Sequence, residues 1–506
     1  MHTGVKIGIA LVLVIIAATA AMALSRFCPP AGPWPQPPWC ENPGGFNPVL
    51  TAGTRLSPGV EAALPATSDP VTLIVNGNSL PMTRVSDYYY SLPGIDLVSG
   101  DTLTYRFASG DRQTPQISAV VNRNETLRAG LAWTETPVVT RPGFIKGHAV
   151  MDAGGYIINA VRSGAIDSTY AAMQEDGGEW TAFDYYWTYT NYSAPEIVDE
   201  GDLVPTHARA DDIARMAQLV HARGMKFFLI TELEWNVLPG EAPGLSGDAY
   251  YAYLNDKWAK GQAFDAEMGR RLTQTPGDPA VQAYWDRWFA QFEPFMLKAA
   301  KVSEDNHVEM LALGKQLNGA MNPGNEKRWR DLVAKVRAVY HGKITQVVYT
   351  AEGADLAGTL PWADALDCIT LYDWTRFSAA EHPSVDELSA TMKRINRDRF
   401  DPLYRKFGKP LVFLLPFQSR DHAAEQQWFE PMATAPTVRE DLMAQADLYE
   451  AFFRSTLDEP WNGGVITWGY WIEPGFNPAW SFEKSSSVRG KPASLVIRSW
   501  FARVRG

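Results

Sequence analysis

From about residue 140 onward the chain alternates short, unbroken apolar runs with longer stretches of mixed polarity. Such runs predict strands buried on both faces, and the longer stretches predict the helices that cover them. Eight runs fit this pattern: Phe144–Asp152, Trp180–Tyr189, Met225–Glu234, Val308–Gln316, Ile344–Glu352, Cys368–Trp374, Leu411–Gln418 and Val465–Trp471. Between the second and third runs, Ala210–Arg223 has helical spacing and stops at Gly224, a residue suited to a helix C-terminus. Between the third and fourth, Val281–Ala300 sets Trp285, Trp288, Phe289, Phe292 and Met296 on one face, a stripe that predicts core packing. Repeated strand–helix units of this number predict an α/β fold, a (β/α)8 TIM barrel over residues 136–506.

The rhythm upstream is different. Val71-Thr-Leu-Ile-Val75 runs into Asn76-Gly77, a hairpin signal, and Asp87–Ser91 and Thr102–Arg106 alternate polar and apolar residues. Residues 48–135 therefore predict a small N-terminal β-sandwich, expected to act as a spacer. Residues 24–47 form a Pro-rich segment with Cys28 and Cys40 at its flanks, a pair expected to form a disulfide in an oxidising compartment. At the start, Lys6 precedes the apolar run Ile7–Ala23, which ends in the small-x-small pattern Ala21-Met22-Ala23. Residues 1–23 read as a secretory signal peptide, the alternative being an uncleaved anchor tethering the protein to a membrane through residues 7–23. Either form places the body outside the cytoplasm, secreted or periplasmic.

Composition narrows the chemistry. The 506 residues carry 46 basic and 57 acidic side chains, a net charge of −11, with no basic block, which argues against nucleic acid as a partner. Eighteen Trp, 20 Tyr and 22 Phe supply flat apolar faces that suit sugar rings as well as a core. The eight His are scattered, and there is no Gly-rich phosphate loop, HExxH or CxxC motif, so neither a metal nor a cofactor is expected. Cys368, inside an apolar run, reads as packing.

In a TIM barrel the chemistry sits at the C-terminal ends of the strands. Those ends here carry Asp152, Asp184 with Trp187, Glu232-Leu-Glu234-Trp235, Gln316-Leu-Asn318, Glu352, Tyr372-Asp373-Trp374 and Trp468 to Trp471 and Glu473. Taken singly, each acid is more often a salt-bridge partner or a helix cap. As a set with aromatic residues they predict a polar pocket for an oligo- or polysaccharide, where carboxyls supply proton transfer and rings stack on sugar faces. The period of two along a strand puts Glu232 and Glu234 on one face.

Several stretches together resemble glycoside hydrolase family 113, a clan A group of retaining β-mannanases, over roughly residues 143–500. They are Phe144-Ile-Lys-Gly147, Thr188-Tyr-Thr-Asn191, Pro205-Thr-His207, His221 to Lys226, Trp362 to Asp367, Gly408-Lys-Pro410, Gly464 to Trp468 and Arg489 to Ala493. The resemblance implies an acid/base Glu at the end of strand 4 and a nucleophilic Glu at the end of strand 7. In this sequence those places hold Gln316, which has no acidic proton, and Leu415. By the same resemblance, Glu352 stands where the family commonly has Asn, and Glu232 where it has a neutral polar residue. The expected catalytic residues are therefore Glu352 and Glu232, with Glu234, Asp373 and Asp184 in reserve.

Three functions follow from this pattern. One is a glycoside hydrolase with a relocated carboxylate pair, inverting if the two groups lie about 6.5–9.5 Å apart and retaining at about 5–5.5 Å. The second is a non-catalytic glycan-binding barrel that keeps the aromatic mouth. The third is a structural envelope protein whose acids are salt-bridge partners. Asp152, Asp184, Trp187, Trp235, Gln316, Asn318, Tyr372, Trp374, Trp468, Trp471 and Glu473 are the expected substrate contacts, and the long loop Asn236–Ala263 is expected to wall the pocket.

Overall fold

The computed structural model describes residues 52–505 except 123, 151–155, 205–206, 316, 318, 351–354, 427–436 and 473–482. The apolar run at residues 7–23, the Pro-rich segment and Cys28 and Cys40 lie outside the described residues.

Eight parallel strands close into a barrel. They are β1 (Ile145–Val150), β2 (Trp180–Asn191), β3 (Lys226–Glu234), β4 (Met310–Ala312), β5 (Lys343–Thr350), β6 (Cys368–Asp373), β7 (Leu411–Leu415) and β8 (Asn462–Tyr470). Each pairs with its neighbour in chain order, and β1 pairs with both β2 and β8, which removes the sheet edges. A short strand, Glu196–Asp199, folds back antiparallel onto the end of β2.

Alternation along the strands sorts side chains into two layers. Ile145, Ala149, Trp180, Ala182, Phe228, Ile230, Met310, Ala312, Val347, Cys368, Tyr372, Val412, Leu414, Ile466 and Trp468 fill the interior of the barrel as one cluster. Their neighbours in sequence, such as Phe183, Leu229, Leu311, Leu371 and Phe413, pack outward against the helices.

The helices follow their local signals. Helix Ala210–Ala222 begins where the Asp212 carboxylate accepts the Arg209 amide at 3.0 Å. It ends before Gly224, whose φ of 69° is the left-handed value expected there. Helix Pro279–Asp305 starts with Pro279 behind the Asp278 cap and buries Trp285, Trp288, Phe289, Phe292 and Met296, the stripe read from the sequence. The segment 236–263 is not one long loop: helix Gly247–Gln274 begins inside it. Only Asn236–Ser246 connects β3 to that helix, so the expected pocket wall is shorter than the sequence suggested.

The N-terminal region is β-rich. One sheet joins Ile117–Val120, Thr102–Ser109, Thr72–Val75 and Asn78–Pro81, and a second joins Leu127–Gly130, Val60–Ala63, Tyr89–Leu92 and Thr83–Arg84. Leu73, Phe107, Val60, Tyr90 and Ala129 share a core drawn from both. Asn76 and Gly77 take φ of 46° and 83° at the hairpin they predict. This region rests on two barrel helices, Leu442–Thr456 and Pro492–Phe501. Tyr88 donates to Asp447 Oδ1 at 2.5 Å, and Ser499 donates to the Leu131 carbonyl at 2.7 Å. Gly130 comes so close to the last helix that a Cβ there would lie 2.1 Å from the Leu495 carbonyl oxygen.

Candidate active site at the barrel mouth

The inward-facing positions near the ends of β2 and β3 hold Asp184, Glu232 and Glu234. In the β2–β3 register, Tyr186 stands beside Glu232 and Thr188 beside Glu234. The neighbouring strand β4 is short. Beyond it, Gly314 takes φ of 145°, a backbone that favours glycine. That residue breaks the alternation and turns Lys315 into the barrel. Lys315 Nζ lies 2.8 Å from Asp184 Oδ2 and 2.7 Å from Glu232 Oε2. It also lies 5.4 Å from the Tyr372 ring centre and 5.5 Å from that of Trp468. Lys315 is 2% exposed and Glu232 1%.

Burial and charge set the protonation of this group. Burial pushes Glu232 well above the usual carboxyl range; Lys315 opposes this, and the charges of Glu234 and Asp184 add to it. Glu234 is pushed up to about 7 by burial first and by the Glu200 charge next, against Lys315 and a hydrogen bond with Glu232. Burial alone would lower Lys315, yet the two carboxylates outweigh it and hold the amine protonated. Glu232 and Glu234, side by side in a low-dielectric interior, therefore both hold their protons to higher pH than free carboxyls do. Glu234 is the member that remains partly exposed.

A second layer supports Glu234 from the β2 side. Glu200, buried just after the strand Glu196–Asp199, is bonded by His207 Nδ1 and accepts Asn236 Nδ2 at 2.6 Å. Thr188 donates to the Glu234 carbonyl at 3.0 Å and accepts the Asn236 amide at 3.0 Å. Opposite the acids is an aromatic wall on β5, β6 and β8. The Tyr349 ring lies nearly parallel to Trp374 at 6.3 Å and edge-on to Tyr372 at 6.0 Å. Tyr372 in turn meets Trp468 at 5.5 Å. Tyr349 is 37% exposed, the openly accessible ring of this wall.

The structure therefore brings together Asp184, Glu232, Glu234, Tyr372, Trp374 and Trp468 among the residues expected from sequence. Four others are displaced from the expected site, Trp187, Trp235 and Asp373 because alternation turns them outward and Trp471 because it lies past the end of β8. Trp187 stacks on Phe295 at 4.4 Å, and Trp235 stacks on Tyr189 at 5.3 Å. Trp471 is buried in the helix layer. Asp373, expected as a reserve acid, instead ties strand ends together. Its Oδ1 accepts the Thr350 hydroxyl, the Thr375 amide at 3.1 Å and the Thr375 hydroxyl at 2.6 Å. Asp152, Gln316, Asn318, Glu352 and Glu473 lie outside the described residues. Lys315, Glu200, His207, Asn236 and Tyr349 were missed by the sequence reading. The signal for Lys315 was the Gly314 before it and the surplus of acids on the two preceding strands. Among the described residues no group of His, Cys, Asp and Glu has the arrangement of a metal site. A cavity of about 490 Å³ lined by Phe144, Trp180, Lys226, Val308 and Lys343 lies at the opposite, N-terminal end of the strands, away from these acids.

A parallel eight-stranded barrel with clustered carboxyls and an aromatic wall at its C-terminal mouth defines a glycoside-hydrolase-type barrel. More narrowly, residues 271–479 match the family model of Glycoside Hydrolase Family 113, and the chain is a family 113-like TIM barrel. Among solved structures, a family 113 β-1,4-mannanase is 19% identical over 71% of this chain and 98% of its own, with a TM-score of 0.49. The family 113 β-mannanase of Alicyclobacillus acidocaldarius is 22% identical over 71% of this chain and 97% of its own, with a TM-score of 0.48. The β-glucuronidase of Ruminococcus gnavus is 10% identical over 89% of this chain and 69% of its own, with a TM-score of 0.42. No curated protein matches the chain.

Proposed function

We propose that the protein is an extracytoplasmic glycoside hydrolase in which Glu234 transfers the proton. The observation that carries this reading is Glu234 itself: partly exposed at the barrel mouth, with its pKa pushed up to about 7 by burial and by Glu200. A carboxyl tuned to that range can protonate a leaving glycosidic oxygen near neutral pH. Glu232, bound to Lys315 and Glu234, supports that group from below and is not open to substrate. The second carboxylate of the pair is Glu352, assigned from the sequence alone. The extracytoplasmic location rests on the apolar run Ile7–Ala23.

The test is a turnover screen of the protein against polysaccharides, mannan included, and aryl glycosides, read by released reducing ends and chromophore. Activity that falls by about a hundredfold or more in Glu234→Gln and in Glu352→Gln supports the assignment. Full activity in both variants overturns it. A second reading is favoured by the Lys315 pairing, which takes two mouth acids out of play: a non-catalytic glycan-binding barrel. Binding to a glycan array with no turnover of any bound sugar selects that reading.

A further inference from the structure

The alternation that aims Glu232 and Glu234 at the upper barrel has a counterpart at its N-terminal end. The inward positions of β3 run Lys226, Phe228, Ile230, Glu232, and those of β5 run Lys343, Thr345, Val347, Tyr349. Both strands therefore open with an ammonium facing the barrel axis. Lys226 Nζ lies 5.4 Å from the ring centre of Trp180, at the start of β2. Lys343 reaches toward the start of β1, where a Cβ on Gly143 would lie 3.9 Å from its Nζ. The two side chains thus lean to the same side of the opening. Two strand spacings and a two-residue stagger set their backbones about 12 Å apart, close enough for both to meet one ligand. Both are exposed, and both line the cavity of about 490 Å³. The cavity also has three acids, Glu304, Glu309 and Asp367, on a helix end and on outward strand positions. Each is engaged elsewhere. Glu309 accepts the Phe227 amide at 2.8 Å and His221 Nε2 at 3.3 Å, and Glu304 accepts the His341 amide and Nδ1, both at 2.9 Å. Asp367 accepts the Ile344 amide at 2.7 Å and binds Arg337. Among the described residues Lys226 and Lys343 have no ion pair. Charge is thus sorted by layer, with acids outside the strands and two uncompensated ammoniums on the axis. A concave wall of low dielectric concentrates their field on an incoming anion.

We infer that the N-terminal end of the barrel binds a phosphate monoester, its phosphate held by Lys226 and Lys343 and its organic part in the rest of the cavity. Two ammoniums, acting as point charges, match a dianion. The fork of Arg337 is already on Asp367, so the bidentate grip that favours a planar carboxylate is taken. The volume lies within the range of about 300–1,000 Å³ typical of small-molecule pockets, more than a lone ion fills. This site is separate from the acids at the opposite mouth and does not depend on the glycan-acting reading.

The test is calorimetric titration of the protein with glycerol 3-phosphate, inorganic phosphate and glycerate at low salt. It is run at about pH 7.5, where a phosphate monoester, with its second pKa at about 6, is mostly dianionic. Glycerol 3-phosphate should bind about tenfold or more tightly than glycerate, which carries one charge and no phosphate. Lys226→Gln and Lys343→Gln should each weaken it by about tenfold or more, the loss of one hydrogen bond between charged groups. Added salt should weaken it as well. Glu234→Gln, at the other end of the barrel, should leave it unchanged. No binding of glycerol 3-phosphate, equal binding of glycerate, or an affinity unchanged in both lysine variants overturns the proposal. A loss in Glu234→Gln also overturns it, because the ligand then sits at the acid mouth. Sedimentation with phosphatidylcholine vesicles, with and without phosphatidic acid, separates the sources of the phosphate. Binding that needs phosphatidic acid and is lost in the lysine variants upholds the site and assigns it to a lipid headgroup. Binding of the soluble ester without vesicle binding upholds it for a free phosphate ester.

Discussion

Lys315 Nζ lies 2.7 Å from Glu232 Oε2 inside the barrel, and both side chains are almost fully buried. An acid foremost in the sequence is thus held by a base from the adjoining strand end, while Glu234 on the same face stays partly exposed.

This pairing makes Lys315 a residue the barrel depends on. Removing the ammonium leaves Asp184 and Glu232 facing each other without compensation. Lys315→Met should lower stability by about 3–5 kcal/mol at neutral pH, as when one partner of a buried pair is deleted. Urea unfolding checks this, and the loss should be smaller in acid, where the carboxyls are protonated. A variant as stable as the parent would show that the pair contributes nothing.

Glu234 should titrate near neutrality. Carbon-13 carboxyl NMR should place its midpoint at about 7, well above the ordinary value of 4.5. If the group acts as the acid, activity falls as pH rises through that midpoint and is lost in Glu234→Gln. A midpoint near the ordinary value would remove the basis for the assignment.

Asp265 carries a similar shift with a structural consequence. Burial pushes its carboxyl from 3.8 to about 7, opposed by the hydrogen bond from the Gly319 amide, which is 2.7 Å long. The folded state prefers the protonated acid, so this stability is fully present below about 4 and is lost as pH rises through about 7. Asp265→Asn keeps an acceptor for Gly319 and removes the ionisation. At about pH 9 the variant should be more stable than the parent by about 4 kcal/mol, from about 1.4 kcal/mol per pKa unit. Urea midpoints measured across pH for both proteins decide it; parallel curves would refute the shift.

Gly261 reverses the usual rule for helices. Gly to Ala in a helix normally gains up to about 1 kcal/mol. Here a Cβ would lie 2.4 Å from the Trp235 ring, which is already fixed by Tyr189 and Trp258. Gly261→Ala should instead destabilise by about 1–3 kcal/mol through overpacking. Thermal unfolding and the near-ultraviolet signal of Trp235 provide the measurement. A raised melting temperature would show that the ring moves aside freely.

The barrel was legible because its strands are buried on both faces and read as continuous apolar runs. Met225–Glu234 was read where Lys226–Glu234 forms, and Leu411–Gln418 where Leu411–Leu415 forms. Strand ends are less legible, since apolar residues such as Phe417 stay buried beyond the last ladder bond. The site was half legible for the same reason. Period-two spacing put Glu232 and Glu234 on one face, and it also turns Trp187 and Trp235 away from that face, a consequence the sequence reading did not draw. Lys315 escaped because Gly314 interrupts the alternation that such reasoning relies on. Glu200 and His207 escaped because a fold-back strand outside the barrel pattern, Glu196–Asp199, carries them to the mouth.

The closure of the ring also bears on how the molecule is made. Ile145 and His148 on β1 pair with Gly464 and Thr467 on β8, so one flank of the first strand finds its partner only after every other strand has been synthesised. A nascent chain emerging from a ribosome or threading through a membrane pore must carry that apolar flank uncovered throughout. Such long-range pairing is slow and exposes sticky surface. The molecule should therefore lean on a chaperone during biosynthesis, and a synthesis arrest placed before residue 462 should yield aggregates, not a partial barrel.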